Sequence, residues 1–364
     1  MSFLTGPPKT LELPEGFRFT HGQTIAPFSI VYETFGELNA DRSNAILVCH
    51  ALSASAHAAG RYSDDPDEKP GWWDGLIGYG KAIDLAKYFV ICVNLPGSPF
   101  GTTAPKSVNP ATGKAYGSHY PWPTIEDMVE SQKLVVKHLG IEHLHAIAGG
   151  SLGGMQVLMW AAMYPAAASS IICMASGSAV PVTGIAWHIL GRKIIETDQK
   201  FQGGDYYDDT DNGREPLRGL QVARMLGHMT YLSSHALQRK FGRRRRGNTR
   251  QFEIDSYFEH QGKKFAALYD ANSYIRVQAA MDEMDLEEQY GNLQSAFARW
   301  RGRTLLVSFD TDWLFPPSES ERVAAAMRSL GTPVQHEEIV SANGHDTFLI
   351  DFHLIDGLVR DFLT

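Results

Sequence analysis

The chain lacks several things, and each absence removes a class of function. No run of about 18 or more apolar residues occurs in its 364 residues, so no membrane-spanning segment is expected. The opening MSFLTGPPKTLELPEG has no basic stretch followed by an apolar one, so no signal peptide is expected and a cytoplasmic location is the simplest reading. Positive charge is in deficit: 33 Lys and Arg stand against 41 Asp and Glu, a formal charge of -8, which argues against general nucleic-acid binding. Cysteine is scarce. Cys49, Cys92 and Cys173 each lie inside an apolar, strand-like run, as buried thiols do, and form no disulfide framework. The histidines show no His-Glu-x-x-His or similar ligand spacing, so no metal is expected.

What is present is organised around Leu144–Trp160, LHAIAGGSLGGMQVLMW. A short apolar run turns through Gly149-Gly150-Ser151-Leu152-Gly153-Gly154 and continues as a buried helix. Gly-x-Ser-x-Gly between a strand and a helix is the setting of a nucleophile elbow. A serine on so sharp a turn needs neighbours without Cβ atoms, and the helix start directs backbone N–H groups at developing negative charge. The bland alternative is a glycine-rich turn with an incidental serine.

Along the chain, residues 1–20 read as an extended lead-in, with Pro7, Pro8 and Pro14 opposing helix. Strands are expected at 28–35, 45–49, 88–94, 169–174, 304–309 and 334–340. A helix is expected over 125–139, capped by Thr124, and a closing helix over 348–363. Short apolar runs alternating with helices predict an α/β fold with a mostly parallel sheet covered on both faces. Between about 180 and 292 the pattern is helical with no convincing buried strand. The predicted organisation is therefore a core of residues 1–179 and 293–364, carrying an inserted helical cap at 180–292.

A hydrolase-type site needs a base and a group to orient it, in the chain order Ser, Asp or Glu, His. Asp310 and Asp312 follow one apolar strand, and His345 lies between the last strand and the closing helix. Spacing alone does not choose between the two aspartates. Leu52, after the strand ending at Cys49, and Leu152, after the serine, are the candidate oxyanion-hole donors. Trp72-Trp73 and Tyr206-Tyr207 read as packing, and Arg243–Arg246 as a solvated loop.

With these motifs in hand, the chain resembles the homoserine O-acetyltransferases of the α/β-hydrolase superfamily. The resemblance runs from about Ser29 to the C-terminus, through HALSASAHAAG (50–60), PGWWDGLIGYGKAID (70–84), GGSLGGMQ (149–156), GLQVARMLGHMTYLS (219–233), FDTDWLFPP (309–317) and GHDTFL (344–349). It implies an α/β-hydrolase fold and a Ser151–Asp312–His345 triad, with Arg224, Tyr231 and Asp346 holding the amino-acid substrate. It implies a ping-pong transfer from acetyl-CoA, a co-substrate rather than a bound cofactor, to L-homoserine on the route to methionine. It also implies a homodimer. Succinyl-CoA-using relatives tend to carry Arg where this chain has Leu314, which favours acetyl. Two departures bear on the acceptor: Pro96–Phe100 replaces a Leu-Gly-Gly-Cys-like run, and Ala186-Trp187-His188 stands where Ala-Phe-Asn is usual. Another hydroxy amino acid such as L-serine, a succinyl donor, or simple ester hydrolysis are the competing activities.

Overall fold

The computed structural model describes residues 3–207 and 216–364. An eight-stranded sheet runs through the molecule. Its strands are β1 (Lys9–Leu13), β2 (Phe28–Phe35), β3 (Ala45–Cys49), β4 (Phe89–Val93), β5 (Ala146–Gly150), β6 (Ser170–Met174), β7 (Arg303–Phe309) and β8 (Val334–Ile339). They lie in the order β1-β2-β4-β3-β5-β6-β7-β8. The β1–β2 and β2–β4 pairs are antiparallel, and the rest are parallel. The strands β3, β4, β5 and β6 are buried at every residue, which is why they read as unbroken apolar runs. The edge strand β8 instead has no fully buried residue and exposes Gln335, Glu337 and Glu338.

Helices cover both faces. Helix α1 (Ile125–His138) starts on a capping box in which the Thr124 hydroxyl accepts from the Asp127 amide and the Asp127 carboxylate accepts from the Thr124 amide. Helix α2 (Leu152–Met163) is buried along almost all of its length and packs on β5 and β6. Among the described residues, the chain from β6 to β7 forms only helices: α3 (Val182–Glu196), α4 (Leu217–Tyr231), α5 (Ser234–Phe241), α6 (Glu253–Ala266), α7 (Ala271–Glu283), α8 (Leu286–Tyr290) and α9 (Leu293–Phe297), besides one short 3-10 turn. Helix α4 packs against α3 and α6, and also against the 3-10 turn Gly344–Asp346. Helix α9 instead packs on α10 (Pro317–Ser329) and α2, against the sheet's own helices. No helix is long and apolar enough to cross a membrane among the described residues. Cys49, Cys92 and Cys173 are free and buried, and burial raises all three thiols.

Two expectations need correction. Residues 1–20 are not merely a lead-in, because Lys9–Leu13 pairs antiparallel with Phe28–Tyr32 as the outermost strand. The prolines flank that strand without entering it, as an edge permits. The closing helix is not continuous over 348–363. It is divided into α11 (Thr347–Ile350), a 3-10 turn at Phe352–Leu354, and α12 (Asp356–Leu363). The break lies where the Asp351 carboxylate leaves the helix pattern to accept from the Asn343 side-chain amide, 2.6 Å away.

Candidate active site

Ser151 stands between β5 and α2 with φ 57° and ψ −125°, in the left-handed region that side chains rarely adopt. Such a residue costs about 1–3 kcal/mol and persists only where its surroundings hold it. Here the Ser151 amide donates to the Met174 carbonyl at 2.9 Å. Gly153 shows why the motif needs glycine: a Cβ there would lie 2.1 Å from the Cys49 carbonyl oxygen. The elbow therefore packs directly on the end of β3.

His345 comes from the turn after β8. Its Nε2 is 2.8 Å from Ser151 Oγ, and its Nδ1 is 2.7 Å from Asp312 Oδ2. The other Asp312 oxygen accepts from the Leu314 and Phe315 amides, both at 2.9 Å, so the carboxylate is fully committed. Asp310 lies elsewhere: its carboxylate accepts from the Ser341 amide and ties β7 to the chain after β8. Of the two aspartates that spacing left open, Asp312 is the one against His345. The imidazole is buried between Phe315, Phe348 and Tyr231. Burial alone would depress its pKa. The Asp312 charge and hydrogen bond, with Asp346 nearby, outweigh that and hold it above the ordinary value. The turn at Gly344 has φ 70°, and a Cβ there would meet the Ser233 amide nitrogen at 2.8 Å, so it is pressed against the end of α4.

Around this group lies a pocket open to solvent. Leu52, Ser151, His345 and Asp346 line it from the sheet side, and Arg224, Tyr231 and His188 from the helices between β6 and β7. Leu152 is buried as the first residue of α2, so its amide has no earlier helical carbonyl to bond. Leu314 also reaches the pocket wall. Arg224 donates to Ser53 Oγ at 2.6 Å and to the Tyr231 hydroxyl at 3.2 Å. Its guanidinium lies between the Tyr231 and Phe265 rings, 4.9 and 4.5 Å from their centroids. No carboxylate pairs with it among the described residues. Asp346, beside His345, has its pKa raised to about 6, chiefly by burial, with His345 and Arg224 pulling the other way. The site thus offers a guanidinium without a carboxylate partner among the described residues and a desolvated carboxyl, both lining one pocket with a serine–histidine pair.

Other residues of this pocket were not among the sequence candidates. Ser53 follows Leu52 directly and receives the Arg224 hydrogen bond. Trp72, read as packing, lines the pocket while its indole donates to the Ser55 carbonyl at 2.8 Å. Trp73 is wholly buried, donating to the Phe348 carbonyl. No local signal separates two adjacent tryptophans; only the turn of the chain does. Of the departures in α3, His188 enters the pocket, fixed by Asp282 and through it by Arg192, whereas Trp187 packs edge-on against Trp313. Phe100, in the other departure, meets Tyr269 edge to face. Arg243–Arg246 are exposed, with Arg244 paired to Glu253. Tyr206 and Tyr207 both donate to the Asp270 carboxylate, a packing role. No group of three or more His, Cys, Asp or Glu is placed to hold a metal among the described residues.

Residues 44–352 match the family described as the alpha/beta hydrolase fold. The chain is 42% identical over 362 residues to the homoserine O-acetyltransferase of Deferribacter desulfuricans, covering 98% of this chain and 95% of that protein. It is 44% identical over 367 residues to the homoserine O-succinyltransferase of Burkholderia multivorans, with the same coverage. Its fold matches the crystal structure of homoserine O-acetyltransferase from Bacillus anthracis with a TM-score of 0.91 at 30% identity, covering 100% of this chain and 98% of that one. Esterase E22 matches with a TM-score of 0.89 at 28% identity, covering 98% and 100%.

Proposed function

This chain belongs to the alpha/beta hydrolase fold family and, within it, to the family of the homoserine O-acetyl- and O-succinyltransferases, and from that premise we propose that it transfers an acyl group from a coenzyme A thioester to the hydroxyl of L-homoserine. The observation that carries the reading is the continuous Asp312–His345–Ser151 hydrogen-bond chain opening into the pocket that also holds Arg224 and Asp346.

In the first half-reaction Ser151 Oγ attacks the thioester carbonyl while His345 Nε2 takes its proton. The Leu52 and Leu152 amides stabilise the oxyanion, each donor contributing about 3–4 kcal/mol. The C–S bond breaks, and His345 returns the proton to the departing CoA thiolate. In the second half-reaction the homoserine hydroxyl loses its proton to His345 and attacks the acyl carbon, and Ser151 leaves with that proton. Arg224 grips the substrate α-carboxylate, with Tyr231 beside it, and Asp346 holds the α-ammonium. Leu314, uncharged at the pocket wall, favours acetyl over succinyl. Nothing in these steps requires a bound cofactor. Residues 1–179 and 293–364 act as the catalytic core in this reading, and residues 180–292 as the lid that supplies Arg224. The exposed apolar residues Val182, Ile189 and Leu190 on α3 are what a cytoplasmic homodimer joined through its lids would cover.

CoA release from acetyl-CoA and succinyl-CoA, each with L-homoserine, L-serine or no acceptor, tests the proposal. Release that needs acetyl-CoA and homoserine and is lost in Ser151→Ala supports it. Rapid hydrolysis of simple esters, with no CoA released in the presence of hydroxy amino acids, overturns it in favour of an esterase. That second reading is favoured by the likeness to esterase E22.

A further inference from the structure

The oxyanion donors themselves are backed by polar groups that the mechanism above does not use. His50 lies at the end of β3, two residues before Leu52, and is 1% exposed. Its Nδ1 is 2.9 Å from the Ala51 carbonyl oxygen. A carbonyl can only accept, so Nδ1 carries the hydrogen. Burial holds the ring at a pKa of about 4, against a smaller opposing effect of that hydrogen bond, so it is neutral at pH 7. Its Nε2 is buried with no partner among the described residues. An apolar side chain would fill this space without stranding an acceptor, so the ring's packing does not account for its presence.

The Ala51 carbonyl and the Leu52 N–H are the two ends of one planar trans peptide, and they point in opposite directions. The oxygen also accepts from the Ala54 amide at 3.0 Å, closing a turn, so His50 is its second anchor; the two together aim the Leu52 N–H away from the ring and polarise it as a donor. The next peptide is held as well, since the Tyr269 hydroxyl donates to the Leu52 carbonyl at 2.9 Å.

The Leu152 half is tied to the same frame. Trp160 Nε1, which can only donate, bonds Gln132 Oε1 at 2.7 Å. That fixes the Gln132 amide, whose Nε2 donates to Gln156 Oε1 at 2.5 Å. Gln156 is fixed in turn, and its Nε2 donates to both the His50 carbonyl at 3.2 Å and the Leu152 carbonyl at 3.1 Å. Both glutamines are completely buried. The direction of every bond follows from the indole at one end and the two carbonyls at the other. One amide group thus joins the strand end that carries Leu52 to the helix start that carries Leu152.

We propose that His50 and Gln156 are positioning residues for the oxyanion hole, setting the direction of the Leu52 N–H and its separation from that of Leu152. The inference rests on the acyl-enzyme chemistry assigned to Ser151 above, but not on the identity of the acceptor.

The test compares full-length His50→Asn, His50→Leu and Gln156→Met with the parent. Turnover of p-nitrophenyl acetate and of acetyl-CoA with homoserine is followed, together with inhibition by phenylboronic acid, whose tetrahedral adduct on serine places an oxygen in the hole. In His50→Asn the side-chain amide still donates to the Ala51 carbonyl, and kcat stays within about threefold of the parent. In His50→Leu and Gln156→Met, kcat falls about tenfold to a hundredfold with KM within about threefold, and the boronate binds weaker by a similar factor. Unchanged kcat in both, or losses in kcat with boronate affinity intact, overturn the proposal. If His50→Leu does not fold, the near-isosteric Gln156→Met decides by the same criteria, and if neither folds, His50→Asn losing boronate affinity overturns it while retaining it supports it. A parent that turns over the nitrophenyl ester but not homoserine sinks the transferase reading and leaves this test intact.

Discussion

The two walls of the active-site pocket are built on opposite principles. On the sheet side, the Ser151, Asp312 and His345 side chains, and the His50, Ala51 and Leu152 carbonyls, already have hydrogen-bond partners in the free protein. Facing them, Arg224 donates to two hydroxyls but meets no carboxylate among the described residues, where its buried Nε also has no partner. On the sheet side itself Asp346, next to His345, is the exception: burial holds its carboxyl well above its ordinary pKa. Groups that perform chemistry are preorganised by internal pairing, because reorganising them during the reaction would raise the barrier. In the proposed reaction, the groups assigned to recognition are those left unpaired, because a charge already neutralised would have little to offer a zwitterion.

Ser151→Ala breaks the first wall and has the largest expected effect. Loss of the nucleophile lowers CoA release by about 10^5–10^6-fold, read in the acyl-CoA assay, with folding unchanged by circular dichroism. Arg224→Leu breaks the second. It lowers kcat/KM for homoserine about a hundredfold while p-nitrophenyl acetate turnover stays within about threefold. Equal losses on both substrates would mean that Arg224 supports the catalytic wall instead.

Asp346→Asn sharpens the contrast through pH. His345 must be neutral to accept a proton, so ester turnover rises with pH through a midpoint above the ordinary histidine value. Asp346 must be ionised to hold an ammonium, so kcat/KM for homoserine gains a second rising limb near pH 6. The variant loses about tenfold at pH 8 and lacks the second limb, while its ester profile keeps the first. A homoserine profile identical to the ester profile in the parent would refute that role.

The smallest effect concerns His228, on α4 one turn from Arg224. Both its ring nitrogens are buried and unpartnered among the described residues. Burial foremost, with Arg224, Lys240 and Lys264 adding, lowers its pKa to about 3. The unfolded chain therefore binds a proton that the folded one refuses. The neutral ring's contribution is complete above about pH 6.5 and is lost as pH falls toward 3. His228→Phe removes that penalty, so the drop in Tm between pH 8 and pH 5 shrinks by about 2–4 °C. An unchanged drop would show that the ring is hydrated or paired in solution.

Legibility in the sequence followed the range of the interactions. The elbow was plain because its constraint is local: a serine at positive φ needs glycines within two residues. The buried parallel strands announced themselves as continuous apolar runs, since both of their faces are covered. Strand β1 was missed because an edge strand with exposed Lys9 and Glu12 has little apolar patterning to show. The break in the closing helix was missed because it depends on Asp351 meeting Asn343.

The sequence by itself determined the fold class, the serine on the strand-to-helix turn and the order in which serine, acid and histidine appear, because backbone sterics and apolar periodicity act between near neighbours in the chain. Which pocket each side chain joined was decided only by tertiary structure. Asp312 and Asp310 are two residues apart and alike in pattern, yet one meets His345 and the other Ser341. Trp72 and Trp73 part in the same way, and Gln156 meets the His50 carbonyl across 106 residues of chain. A hydrogen bond is set by angles and by a few tenths of an ångström between groups that only the folded sheet brings together, and no local pattern encodes that distance.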